Sequence, residues 1–230
     1  MGLSTKTFSD KSALVTSFAD EIITLLSQGI NENGRASLVV SGGSTPLPLF
    51  AELSQRNLDW SKVDVTLADE RWVDESHADS NTRLVKENLL QNNAASAHFV
   101  ALYSHHNDAA DGIAEAEGRL SSLAQPFDVL ILGMGEDGHT ASLFPCSEQI
   151  DQGLSLTSGR VCLAVQPQTA PHQRISLSLP ALLNSKRIFL HLTGEKKQAV
   201  LQDALKNHTE KEKPITAVVN RAPVTLMWAP

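Results

Sequence analysis

Short apolar runs alternate along this chain with longer stretches in which apolar residues recur every three or four positions. Ser37-Leu38-Val39-Val40, Val63–Leu67, Phe99–Leu102, Phe127–Leu132, Val161–Val165 and Arg187–Leu192 are brief and mostly apolar, the pattern of buried parallel strands. Ala13, Leu14, Phe18, Ile22, Leu25 and Leu26 keep helical spacing, and Gly29 is the expected stop. Thr45 as N-cap and Pro46 at the first helical position predict a helix through Phe50 and Leu53. Ser80 or Asn81 caps another that carries Leu84, Leu89 and Leu90. An amphipathic helix is expected over Asp108–Leu123 and a further one over Glu195–Leu205. Ile175, Leu177 and Leu179 alternate, and a last short strand is expected over Thr225–Met227. His208–Pro214 is polar and reads as a linker. Strand and helix alternate almost throughout. This predicts a Rossmann-like α/β fold, a mainly parallel sheet with helices on both faces, in a single domain over residues 1–230.

Composition narrows the function. At 230 residues and 41% hydrophobic content the chain is long enough for one sizeable core. Its formal net charge of -7 opposes a nucleic-acid or anionic-membrane surface, so an anionic ligand needs locally gathered cations. Cys146 and Cys162 are too few and too isolated for a disulfide framework or a zinc site. Neither an apolar leader nor an apolar run of membrane-spanning length is expected, and the reading is cytoplasmic.

Candidate chemistry gathers at the ends of the expected strands, where open α/β sheets place their sites. Gly133-Met134-Gly135-Glu136-Asp137-Gly138-His139 follows the run Phe127–Leu132 directly. Asp137 and His139 stand two residues apart in a glycine-lined loop, and an Asp beside a His fixes its tautomer as a general base requires. The remaining histidines, His77, His98, His105, His106, His172, His191 and His208, read as structural or exposed. The pair His105-His106 lacks the spacing of a metal site, and no metal is expected. Ser41-Gly42-Gly43-Ser44-Thr45-Pro46 joins a strand to a helix start and offers backbone N–H groups to an anion. Neither a Walker loop nor a Gly-x-Gly-x-x-Gly fingerprint is present, so a phosphate monoester fits better than a nucleotide. Asp69-Glu70-Arg71-Trp72 ends another strand, and Asp69 there points toward the same crevice. Arg174 offers a fork for phosphate, and Lys197, rather than Lys196, is the anion contact after Gly194. Gly-x-Ser-x-Gly is missing, which disfavours a covalent acyl-enzyme and leaves water activated by His139.

Taken in order, the Ser41–Pro46, Asp69–Val73, Gly133–Pro145, Arg174-Ile175 and Gly194–Lys197 segments resemble the 6-phosphogluconolactonases of the glucosamine-6-phosphate isomerase/6-phosphogluconolactonase family. The likeness covers about residue 37 to 205, and the Gly133–Pro145 motif is its most specific part. It implies a cytosolic, metal-independent esterase of the pentose phosphate pathway that hydrolyses 6-phospho-D-glucono-1,5-lactone without a cofactor. On the matching positions it implies His139 as general base and Gly42, Gly43, Ser44 and Thr45 as the phosphate loop, with Arg174 and Lys197 as cationic partners. Asp69 and Arg71 match the acid at the strand tip and a mobile arginine near the substrate. Ala68, Asp74 and Ser176 depart from residues common in the family (Gly, Pro and Thr), and Asp74 bears on the shape of the Arg71 loop. The expected partner is a small sugar-phosphate lactone, bound by a monomer or homodimer with no nucleic acid or membrane.

Two rivals remain at this stage. A glucosamine-6-phosphate deaminase would use Asp69 as its proton shuttle, but Thr140–Pro145 and Arg71-Trp72 resemble lactonases. A sugar-phosphate sensor would need a DNA-binding module, and no helix-turn-helix precedes residue 37.

Overall fold

The computed structural model describes residues 2–230. In chain order the elements are β1 (Leu3–Thr7), α1 (Lys11–Asn33), β2 (Ala36–Val40), α2 (Leu47–Gln55), β3 (Val63–Leu67) and β4 (Asp69–Arg71). Next come α3 (Asn81–Asn88), β5 (His98–Val100), α4 (Ile113–Leu120), β6 (Phe127–Leu132), α5 (Ile150–Leu154) and β7 (Cys162–Val165). The chain closes with β8 (Arg174–Leu177), α6 (Leu179–Leu183), β9 (Ser185–Thr193), α7 (Glu195–Asn207), α8 (Ile215–Arg221) and β10 (Val224–Ala229).

The main sheet runs β1-β10-β9-β6-β2-β3-β5, with every pair parallel. Strands β2, β3 and β6 are buried at every position, so even the polar Ser37, Asp64, Thr66 and Asp128 within them lie inside the fold. From β2 the chain builds outward to β3 and β5, and from β6 it builds the other way to β9 and β10. Loops leaving β2 and β6 therefore diverge and open a crevice at the carboxyl edge of the sheet. Helix α1 packs on β2, β6 and β10, while α6 and α7 pack on β9, so helices cover both faces. Phe18, Phe50, Phe127 and Phe189 are fully buried, each worth roughly 1.5–3 kcal/mol over exposure.

Local differences from the sequence reading have physical causes. Helix α1 passes through Gly29 and ends at Gly34, whose φ of 78° lets its N–H reach Ile30 O at 2.8 Å. At Gly29 a Cβ would stand 2.8 Å from the Asp128 carboxyl group, so that glycine serves packing, not termination. With 23 residues α1 is also long and apolar enough to cross a membrane, contrary to expectation. Its stripe of Leu14, Phe18, Ile22 and Leu26 is buried against the sheet. Helix α2 begins after Pro46, leaving Thr45 outside it, and α4 begins only at Ile113. The segment read as a linker packs on the His139 loop: a Cβ at Gly138 would lie 3.0 Å from Lys213 Cβ and 3.2 Å from its Cα.

A second sheet, β4-β8-β7, is antiparallel throughout. It takes in Asp69-Glu70-Arg71, expected as a strand-tip loop, and pairs Arg71 with Arg174 and Asp69 with Ser176. Ala68 joins the sheets: its N–H donates to Val40 O, and its carbonyl accepts from Leu177 N–H, both at 2.9 Å.

Candidate active site

The loop after β2 forms one wall of the crevice. Gly43 has a φ of 97°, in the left-handed region that favours glycine. At Gly42 a Cβ would lie 1.9 Å from Asn81 Oδ1, so the side chain there is excluded by protein packing. Asn81 is buried and donates Nδ2–H to Asp69 O at 2.9 Å. Ser41 Oγ donates to Ile131 O at 3.1 Å and ties the loop to β6. Ser44 and Thr45 are exposed at the rim.

Opposite, the loop after β6 carries Asp137 and His139. Asp137 Oδ1 accepts from His139 Nδ1 at 2.5 Å and from the His139 backbone N–H at 3.1 Å. Both bonds within two residues hold the imidazole, leaving Nε2 as its proton-accepting nitrogen. Burial pushes the Asp137 carboxyl up, but the hydrogen bond and charge of His139 outweigh it and hold the group below its ordinary value. The ring stacks on Phe144, with centroids 4.1 Å apart and planes at 30°. Gly135 N–H donates to His139 O at 2.9 Å, and Thr140 Oγ1–H donates to Gly133 O at 2.8 Å, closing the loop on itself.

The small sheet supplies the cations. Arg174 is buried, with Nη1 3.9 Å from Asp69 Oδ2 and its guanidinium 5.6 Å from the Phe144 ring centroid. Burial pushes its pKa down from the usual guanidinium value, partly offset by Asp69. Asp69 in turn accepts from Ser142 Oγ at 2.5 Å, so it is a held carboxylate rather than a free one. Arg71 Nη1 donates to Asp79 O at 2.6 Å. From α7, Lys197 Nζ donates to Met134 O at 2.7 Å, and burial lowers its pKa. Lys196 points away and pairs with Glu136 at 2.8 Å.

Gly42, Gly43, Ser44, Thr45, Asp69, Arg71, His139, Arg174 and Lys197 together line one cleft of about 310 Å³. Asp137 stands behind His139, on the adjoining depression. Three contributors were not singled out from sequence. Asn81 read as a helix cap, yet it lines the cleft against Gly42. Glu70 read as part of a charged loop, yet it is fully buried and accepts from Arg71, Asn81 and Thr82 N–H at 2.7, 2.8 and 2.7 Å. Burial pushes its carboxyl up while those N–H groups pull it back, and it fastens α3 to β4. Phe144 lay inside the recognised motif, but its place between His139 and Arg174 is a tertiary fact. His191, read as structural, is buried on β9 with neither ring nitrogen bonded to a protein group.

Known proteins share this arrangement of fold and sequence. Residues 9–228 match the family described as glucosamine-6-phosphate isomerases/6-phosphogluconolactonase. A 6-phosphogluconolactonase of Rhizobium meliloti (strain 1021) is 43% identical over 225 residues, covering 97% of each chain. A crystal structure of a 6-phosphogluconolactonase from Shewanella baltica OS155 superposes with a TM-score of 0.96 at 46% identity, covering 99% of this chain and 98% of that one. A monomeric glucosamine-6-phosphate deaminase shares the fold at a TM-score of 0.79, with 17% identity over 98% of this chain and 96% of its own. The chain thus belongs to the glucosamine-6-phosphate isomerase/6-phosphogluconolactonase family.

Proposed function

We propose that the chain hydrolyses 6-phospho-D-glucono-1,5-lactone to 6-phosphogluconate, the lactonase step of the oxidative pentose phosphate pathway. The observation that carries the mechanism is the His139–Asp137 pair, held at 2.5 Å beside a cleft whose far wall is the exposed Ser44-Thr45 turn. Relatives at 43% identity that carry the lactonase name support the substrate class.

In this reading the 6-phosphate docks on the Gly42–Thr45 loop, with Arg174 and Lys197 neutralising its charge. Binding energy from that remote group holds the lactone carbonyl beside His139. Neutral His139 takes a proton from water on Nε2 as the water oxygen bonds to C1. The carbonyl electron pair moves to oxygen, where Arg71, which lines the cleft with His139, meets it. Collapse of the tetrahedral adduct breaks the bond from C1 to the ring oxygen, which takes the proton back from His139. The released acid ionises, giving the open-chain carboxylate. Asp137 stabilises the transient imidazolium. Asp69, bonded to Ser142, acts by holding Arg174 in place. No metal or cofactor takes part, and the enzyme works in the cytoplasm as a monomer or homodimer.

The test is lactone hydrolysis by wild type and His139→Ala, with the spontaneous reaction subtracted. General-base loss should lower kcat about 10²–10⁴-fold. Turnover that survives the substitution would refute the mechanism. Ammonia release from glucosamine 6-phosphate would replace the activity.

A further inference from the structure

Away from the cleft, two loops distant in sequence bring His77, Asp79 and His172 together. His77 Nδ1 and His172 Nε2 stand 3.9 and 2.9 Å from Asp79 Oδ2. One ligand atom from each of the three lies within 4.8 Å of the others. We propose that this trio is a binding site for a divalent transition-metal ion of the zinc type, separate from the hydrolytic chemistry.

Donor spacing supports the assignment. Zinc bonds of about 2.0–2.1 Å to nitrogen and 2.0–2.2 Å to oxygen, set tetrahedrally, place neighbouring donors roughly 3.3 Å apart. The two measured edges bracket that spacing, so small side-chain rotations suffice. Two imidazoles with one carboxylate select zinc, cobalt or nickel over magnesium or calcium, which prefer oxygen throughout. His77 Nδ1 accepts the Asp79 backbone N–H at 3.1 Å, and a bound ion would take that lone pair in place of the N–H. His172 adopts a φ of 67°, a conformation uncommon for a residue with a side chain, and there its ring meets Asp79. His77 and Asp79 are exposed and His172 is half-buried, leaving access for the ion and room for water as fourth ligand. The neighbouring Arg71 guanidinium, which acts on Asp79, opposes a dication and weakens the site.

The position also has a consequence for the cleft. Asp79 gives its side chain to the trio and its backbone carbonyl to Arg71 Nη1. A bound ion would fix the residue that holds Arg71.

The test is a zinc titration of the chelator-treated full chain in competition with a chromogenic chelator. Wild type should bind one zinc per chain, and His77→Gln and His172→Asn should each weaken it at least tenfold. Asparagine is chosen at 172 because it tolerates a positive φ. Cys146→Ser and His139→Ala should retain the site, and cobalt bound in place of zinc should show visible absorption that both histidine variants lose. Circular dichroism and melting without zinc establish that the variants fold, and His77→Gln carries the test if His172→Asn does not. Equal zinc affinity in wild type and the histidine variants would overturn the proposal, as would loss of binding in His139→Ala or Cys146→Ser.

Discussion

A single methyl group at Gly135 should disable the acid–base pair while leaving the phosphate loop alone. A Cβ at this position would lie 2.2 Å from His139 Nδ1, 2.3 Å from its Cε1 and 2.5 Å from Asp137 Oδ1. Ordinary contact for such atoms begins near 3.4 Å, so the ring or the carboxylate must shift by about 1 Å. A shift of either breaks the contacts that hold the pair. The ring stacks on Phe144 at 4.1 Å, and Gly135 N–H is bonded to His139 O, so the two residues cannot drift apart together. Gly135 does not adopt a positive φ, so Gly135→Ala acts through this overlap rather than backbone strain. A displacement near 1 Å costs roughly 10²-fold in rate. The expectation is a kcat about 100-fold lower with KM nearly unchanged, because Gly42–Thr45 and Arg174 lie on other segments. Overpacking of about 1–3 kcal/mol should also lower Tm by roughly 2–12 °C. Steady-state kinetics of lactone hydrolysis alongside a thermal melt separates the two effects. A kcat within twofold of wild type would refute the account of how His139 is positioned.

Other substitutions test the supporting structure. Glu70→Gln turns an amide N–H toward the backbone donors of α3 and leaves at least one buried N–H unpaired, costing about 1–3 kcal/mol; an unchanged Tm would remove Glu70 as the clamp. Burial depresses His191 to about 4, below its ordinary value near 6.5, so the unfolded chain binds the proton better. Its contribution is complete above pH ~6.5 and fades toward pH ~4 by about 3 kcal/mol, and His191→Leu should flatten melting temperatures across that window. Equal acid sensitivity in both proteins would show that His191 is not the cause. Arg174→Lys keeps the charge but loses the planar fork, so KM should rise about tenfold with a smaller change in kcat; a change confined to kcat would move Arg174 out of phosphate binding.

The parts legible in the sequence are those set by neighbours along the chain. Buried parallel strands show as short runs rich in Val, Leu and Ile, which is why β2, β3 and β6 are placed within a residue or two. The Asp137–His139 pair was legible for the same reason: its members are two residues apart and their bond is local. Helix ends were less so, since Gly29 and Gly34 look alike until packing gives one to Asp128 and the other a left-handed cap.

Long-range pairing decided the rest. The antiparallel ladder of β4 with β8 joins Asp69 to Ser176, and no pattern near either residue announces its partner. That ladder turns Asp69-Glu70-Arg71 from a charged loop into a buried strand and sets Arg71 beside Arg174. It also brings the loops bearing His77, Asp79 and His172 into contact. Residue types and local spacing thus determined the fold class, the glycine-rich loops and the Asp137–His139 contact, because those depend on interactions within a few residues. The seat of Asn81 against Gly42, the burial of Glu70 and the gathering of the cations depend on which distant backbones meet, and only the folded sheet decides that.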